Sequence, residues 1–246
     1  IMQLFDQAYI GDFLLRYVHV LVGITWIGLL YYFNLVQVPA LATYGDEAKA
    51  RNLTLDKVAR RALWWFRWAA IATLGTGLLI TGVIENYWSR SGEAHKYTIS
   101  IGMILGTLMA ANVWMGIWKN QKIVLANAVN VLGGGAADPN AAGAGRKALL
   151  ISRQNFIFSF SMLWFMVGPA HFYPAAFPDA TASNAMTLLI IAVVLAAILE
   201  LNAVGVLGGT AATNKLLWPY ESHKNAMITG GVLWLILWVA SEVLLK

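Results

Sequence analysis

Six stretches of this chain are each long and apolar enough to cross a lipid bilayer, and no other property restricts its fold as strongly. A helix needs about 20 predominantly apolar residues to span the hydrocarbon core. The stretches run from Phe13 to Val36, Ala62 to Ile84, Ile99 to Trp118, Leu149 to Phe172, Ala185 to Leu207 and Ala226 to Leu245. The second, fifth and sixth are the cleanest; the fourth opens on Arg153, Gln154 and Asn155. Composition agrees with a membrane solvent. Only 12% of residues are charged, about half the usual share of a soluble domain, too few to cover a water-exposed globule. The expectation is an all-α protein: one integral membrane domain over 1–246, a polytopic bundle of about six transmembrane helices.

Lys and Arg in the loops orient such a bundle, because cytoplasmic loops carry the excess. Lys49, Arg51, Lys57, Arg60 and Arg61 follow the first helix. Lys119, Lys122, Arg146, Lys147 and Arg153 follow the third, and Lys215 and Lys224 follow the fifth. The other side holds Arg16, Arg90, Lys96 and Lys246. Arg67, inside the second helix, can snorkel to the basic side. Twelve against four predicts both termini outside, periplasmic in a bacterial inner membrane. The net charge of +5 is therefore an orientation signal, not a nucleic-acid footprint. The first apolar stretch is too long for a signal-peptide core. Residues 133–145, GGGAADPNAAGAG, read as a flexible linker. The charged segment Asp46 to Arg61 and the segment Gln121 to Leu132 suit short interfacial helices.

The chain has no cysteine. That excludes disulfides, iron–sulfur clusters, zinc ribbons and covalently attached haem within it. What remains for chemistry is a few polar groups inside the membrane, each needing a partner or a function. His19 is the clearest. Spacing by three and four places Arg16, His19, Gly23 and Trp26 on one helix face. Gly23 leaves room for a flat cofactor or for a close helix. His171 falls at the outer end of the fourth helix, between Pro169 and Pro174, at a depth comparable with His19. Two neutral imidazoles on different helices are the usual clamp for a b-type haem. The plainer readings are a hydrogen-bonded His19 and an interfacial His171. His95 and His223 fall in loops and read as solvated. Asn112, Glu200, Asn202 and Glu242 read as interhelical hydrogen-bonding groups. Asn155, Ser159, Met162 and Met166 form a packing stripe, and Gly102, Gly106 and Ala110 a small-residue ridge for close helix packing.

Three segments together resemble a known family. They are YVHVLVGITWIGLLYYFNLVQVPA (Tyr17 to Ala40), ISIGMILGTLMAANVWMGIWKNQKIVL (Ile99 to Leu125) and SRQNFIFSFSMLWFM (Ser152 to Met166). In this order they resemble the membrane domain of the bacterial urate hydroxylases, the urate oxidase N-terminal family. Residues from Pro169 onward fit that pattern less closely. The segment around His19 also resembles, more weakly, membrane haem-b proteins of the copper-resistance D and protoporphyrinogen oxidase type.

The resemblance implies a helical membrane domain that passes electrons to a cytochrome c domain, commonly fused at the C-terminus. These 246 residues contain no such domain, so a separate c-type cytochrome or a quinone is the expected acceptor. Two functions stay open at this stage. One is a membrane oxidoreductase of the urate hydroxylase type, with haem b (iron) on His19 and His171 and with Arg16 and Trp26 at the site. The other is a non-catalytic accessory subunit of a larger electron-transport or photosynthetic membrane complex. No paired broken helices mark a transporter.

Overall fold

A computed structural model describes residues 8–83, 87–88 and 92–246. Ile84 and Arg90, which entered the span and charge assignments, lie outside the described residues. Among the described residues there is no strand, and eight helices make up the fold. They are α1 (Gly11–Thr43), α2 (Ala48–Gly82), α3 (Gly92–Leu132), α4 (Ala141–His171), the short α5 (Tyr173–Ala176), α6 (Ala182–Ala203), the short α7 (Trp218–Glu221) and α8 (His223–Leu244).

Five of these, α1, α2, α3, α6 and α8, are long and apolar enough to cross a membrane. The sixth expected span exists as α4 but is not among them. At 31 residues it has ample length; what it lacks is uniform apolarity. The physical reason is its position. It packs against α1, α3, α6 and α8, so its polar residues meet protein rather than lipid. Arg153, Gln154, Asn155, Ser159 and Ser161 are all buried. Around them Phe156, Ile157, Phe158, Met162 and Phe165 form the centre of the core.

The first three helices are longer than their apolar stretches. The segments expected as separate interfacial helices are continuous with α2 and α3. Both are joined through wide π-type turns, Leu55–Ala59 in α2 and Asn112–Trp118 in α3. The 41-residue α3 is roughly 60 Å long at the usual helical rise, about twice the hydrocarbon thickness. Its C-terminal turns pack on the start of α2 and of α4 beyond the apolar zone. The linker is shorter than its composition suggests, because alanines carry α4 back to Ala141. The rest is fastened: Asn130 donates to the Ala136 carbonyl at 2.6 Å, and the Asp138 amide donates to Asn127 at 2.7 Å.

The basic loops gather at one end of the bundle. Arg60 reaches the Leu125 carbonyl, and Arg146 pairs with Glu221 at 2.7 Å. The start of α1 and the end of α8 lie at the opposite end. Arg153 does not belong to the basic loops: it is 6% exposed and donates to the Tyr220 carbonyl inside the bundle.

Helix α3 approaches the α4 backbone closely at Gly102, and two residues explain it. Pro169 has no amide hydrogen, so the Phe165 carbonyl one turn earlier loses its helical donor. Gly102 lies against that carbonyl; a Cβ there would sit 2.7 Å from the Phe165 oxygen. The small-residue ridge therefore packs within the chain.

Candidate functional site

His19 sits in α1 with its ring turned onto α2. Its Nδ1 is 2.9 Å from the Thr76 hydroxyl. That hydroxyl donates its own hydrogen to the Ala72 carbonyl at 2.7 Å. With the Thr76 hydroxyl directed at that carbonyl, its oxygen can accept from a protonated Nδ1, the tautomer in which Nε2 is the unprotonated nitrogen. Gly77 makes room for the ring; a Cβ there would lie 3.2 Å from His19 Cε1. The space at Gly23 is taken by α2 as well, since its Cβ position is 3.9 Å from Thr73 Cγ2.

The other expected site residues are less gathered. Arg16 forms an ion pair with Asp12 one turn before it. Trp26 is 2% exposed, deep in the core, and its indole N–H has no acceptor among the described residues. His171 is exposed at the end of α4 with the Phe172 ring beside it. No hydrogen bond or ring contact joins His19 to His171 among the described residues. His95 departs from the sequence reading. Helix α3 starts at Gly92, about two turns before the apolar stretch, so His95 lies on a helix face and not in a loop. It is buried, donates from Nδ1 to the Pro169 carbonyl at 2.9 Å, and packs edge-on to Tyr87. Burial pushes the Tyr87 hydroxyl up, and the nearby charge of Arg16 partly offsets this. His223 opens α8 and is partly exposed.

A second polar centre lies nearer the basic end, made of residues read as interhelical glue. Asn112, at the start of the wide turn in α3, donates to Asn155 of α4 at 2.9 Å and to Glu200 of α6 at 3.0 Å. Asn155 donates in turn to the Met109 carbonyl at 2.9 Å. One amide thus uses both its hydrogens to tie three helices. On the opposite side of α4, Asn34 donates to Ser152 and Tyr31 meets Ser159. Gln154, fully buried, has no partner for either amide atom among the described residues. Below this layer the Tyr220 hydroxyl donates to the Leu199 carbonyl at 2.9 Å. Burial raises that phenol, and the neighbouring Glu200 charge raises it further. The interhelical reading of Asn112 and Glu200 thus holds. Asn155, placed in a packing stripe, proves to be the middle of the network. The signal for it was available: three polar residues at matched depth on three consecutive long helices.

These features define a polytopic helical membrane protein with a polar interior tied by amide and carboxyl groups. Residues 85–204, just under half of the chain, match the family described as urate oxidase N-terminal. This meets the resemblance seen in α3 and α4 and makes that stretch urate hydroxylase-like. The match holds Asn112, Asn155, Glu200, His95 and His171. It continues past Pro169 to residue 204, where the resemblance had looked weaker, and it does not reach α1 with Arg16, His19 and Trp26. No curated protein and no solved structure matches the chain significantly.

Proposed function

We propose that the chain is the membrane redox domain of a urate hydroxylase-like oxidoreductase, which takes haem b on His19 and passes electrons to a c-type cytochrome. The observation that carries this is the hydrogen bond between His19 Nδ1 and the Thr76 hydroxyl. A histidine that ligates a metal through one nitrogen usually has the other held by a hydrogen bond. Thr76 is placed to do this for Nδ1, and in the tautomer protonated there Nε2 is the ligand of this reading. His171 is the second ligand in this reading. Arg16 supplies a cation for an anionic group at the same end, and Trp26 a buried donor without a partner. When bound, haem b supplies a one-electron carrier; the residues named here bind and orient it. With the basic loops cytoplasmic, this end faces the periplasm of a bacterial inner membrane, where a soluble cytochrome c can dock.

The test is an optical spectrum of protein purified from haem-supplied cells. The expected result is a b-type Soret and α band that is lost in His19→Ala and weakened in Thr76→Val. Urate-driven reduction of added cytochrome c then tests the reaction. Wild-type protein without haem absorption sinks the cofactor assignment, and the accessory-subunit reading takes its place. One observation favours that second reading: an apolar groove of ≈ 550 Å³ between α6 and α8, lined by Ile191, Leu235, Ile236, Val239 and Val243 among others. Its mark is purification only together with partner chains.

A further inference from the structure

We propose that the aromatic surface where α2 meets α3 at the basic end binds an anionic phospholipid, whose phosphate sits on Arg67. Arg67 lies two turns inside the basic segment of α2, within the apolar stretch, and is partly exposed. A cation at this depth needs an anion or an escape to water. Among the described residues no carboxylate is within ion-pair distance of Arg67. Its guanidinium instead lies over the Trp118 ring of α3, 3.8 Å from the ring centroid. A cation–π contact holds the group in place but leaves its net charge uncompensated.

The surface is aromatic and accessible. Trp68 of α2 meets Trp114 of α3 edge-on with centroids 5.4 Å apart, and Trp64 lies tilted beside Trp68 at 6.4 Å. Trp64 and Trp68 are both 46% exposed. Trp114 spends its indole N–H on the Arg67 carbonyl at 3.1 Å, which fixes α3 against α2 at this level. The indole N–H groups of Trp64, Trp68 and Trp118 have no acceptor among the described residues. Such rings favour the headgroup zone and offer donors to ester and phosphate oxygens.

The charge around this surface selects an anionic headgroup over a zwitterionic one. Lys119 and Lys122, on the turns following Trp118, are exposed and have no acidic partner among the described residues. Arg61, one turn from Trp64 and Trp65, is likewise exposed and unpaired. Asp56, in the basic segment of α2, is already held by Lys57 at 2.7 Å and Arg60 at 2.9 Å. Basic residues just beyond a spanning segment attract anionic lipid, and the uncompensated Arg67 beside the exposed Trp rings gives that attraction a fixed point. The site is independent of the redox reading and of residues 85–91.

Native mass spectrometry of detergent-solubilised full-length protein tests this, with phosphatidylglycerol and phosphatidylcholine of equal chain length as probes. The expected result is retention of one phosphatidylglycerol in preference to phosphatidylcholine. Arg67→Gln and Trp118→Leu should each weaken it roughly fivefold, while Lys215→Gln, in another basic loop, leaves it unchanged. Equal retention of the two lipids by the wild type overturns the proposal. So does retention of phosphatidylglycerol that neither variant alters, and so does displacement by millimolar inorganic phosphate, which assigns the cluster to a soluble anion. If the Arg67 or Trp118 variants do not fold, the surface pair Lys119→Gln with Lys122→Gln decides: undiminished preference for phosphatidylglycerol overturns it.

Discussion

Asn112 illustrates how much a single side chain can settle inside a membrane. Its two amide hydrogens satisfy Asn155 and Glu200 at once. Replacing it by Leu leaves the buried Asn155 oxygen and the half-buried Glu200 carboxylate without this donor, and an orphaned buried polar group costs about 1–3 kcal/mol. Glu200→Gln keeps an oxygen that can face Asn112, so it should cost less than about 1 kcal/mol. Unfolding of the two variants in mixed micelles checks the order; equal losses would mean the layer is not held through Asn112. The residue scale is also where sequence reading was weakest. Histidines were visible as candidates, but their surroundings were not. His95 looked solvated because a helix start about two turns earlier leaves no hydrophobic trace, and His19 showed its face but not Thr76. The partner on another helix decides what such a group does, and no local pattern encodes it.

At the scale of elements, α4 is the instructive case. Hydropathy underrates it because a central helix can bury polar groups against other helices, as Ser152 does with Asn34 and Asn155 with Asn112. The small-residue ridge on α3 was legible, but not which of its members is critical. Gly102 faces backbone: its Cβ position lies 2.7 Å from the Phe165 oxygen and 2.9 Å from its carbon. Gly106 faces only the flexible ends of Met162 and Met166, at 3.8 Å or more. Gly102→Ala must therefore push α3 off α4, at about 1–3 kcal/mol. Gly106→Ala should be neutral or slightly stabilising, because glycine in a helix interior is costly. Thermal midpoints in detergent distinguish the pair, and similar behaviour of the two would refute the backbone contact.

For the whole molecule, five of the long helices are legible from apolar length alone, because a bilayer demands little else; α4 is not. The true helix lengths are not legible there either. The ends of α2 and α3 pack on each other and on α4 beyond the apolar zone, and tertiary contact of that kind has no hydropathy signature. The orientation is a prediction from charge. Setting Arg153 aside as a buried residue still leaves eleven Lys and Arg against four, and the structure gathers the loops that carry them at one end. The absence of cysteine makes the prediction clean to test, since any thiol introduced is the only one present. Ala137 is exposed in the loop between α3 and α4, and Ser183 is exposed at the start of α6 on the opposite end. In spheroplasts a membrane-impermeant maleimide should label Ser183→Cys fully and Ala137→Cys only after lysis. The reverse pattern would place the termini in the cytoplasm. It would also put His19 on the wrong side for a periplasmic cytochrome c, so this one measurement bears on the orientation and on the electron path together.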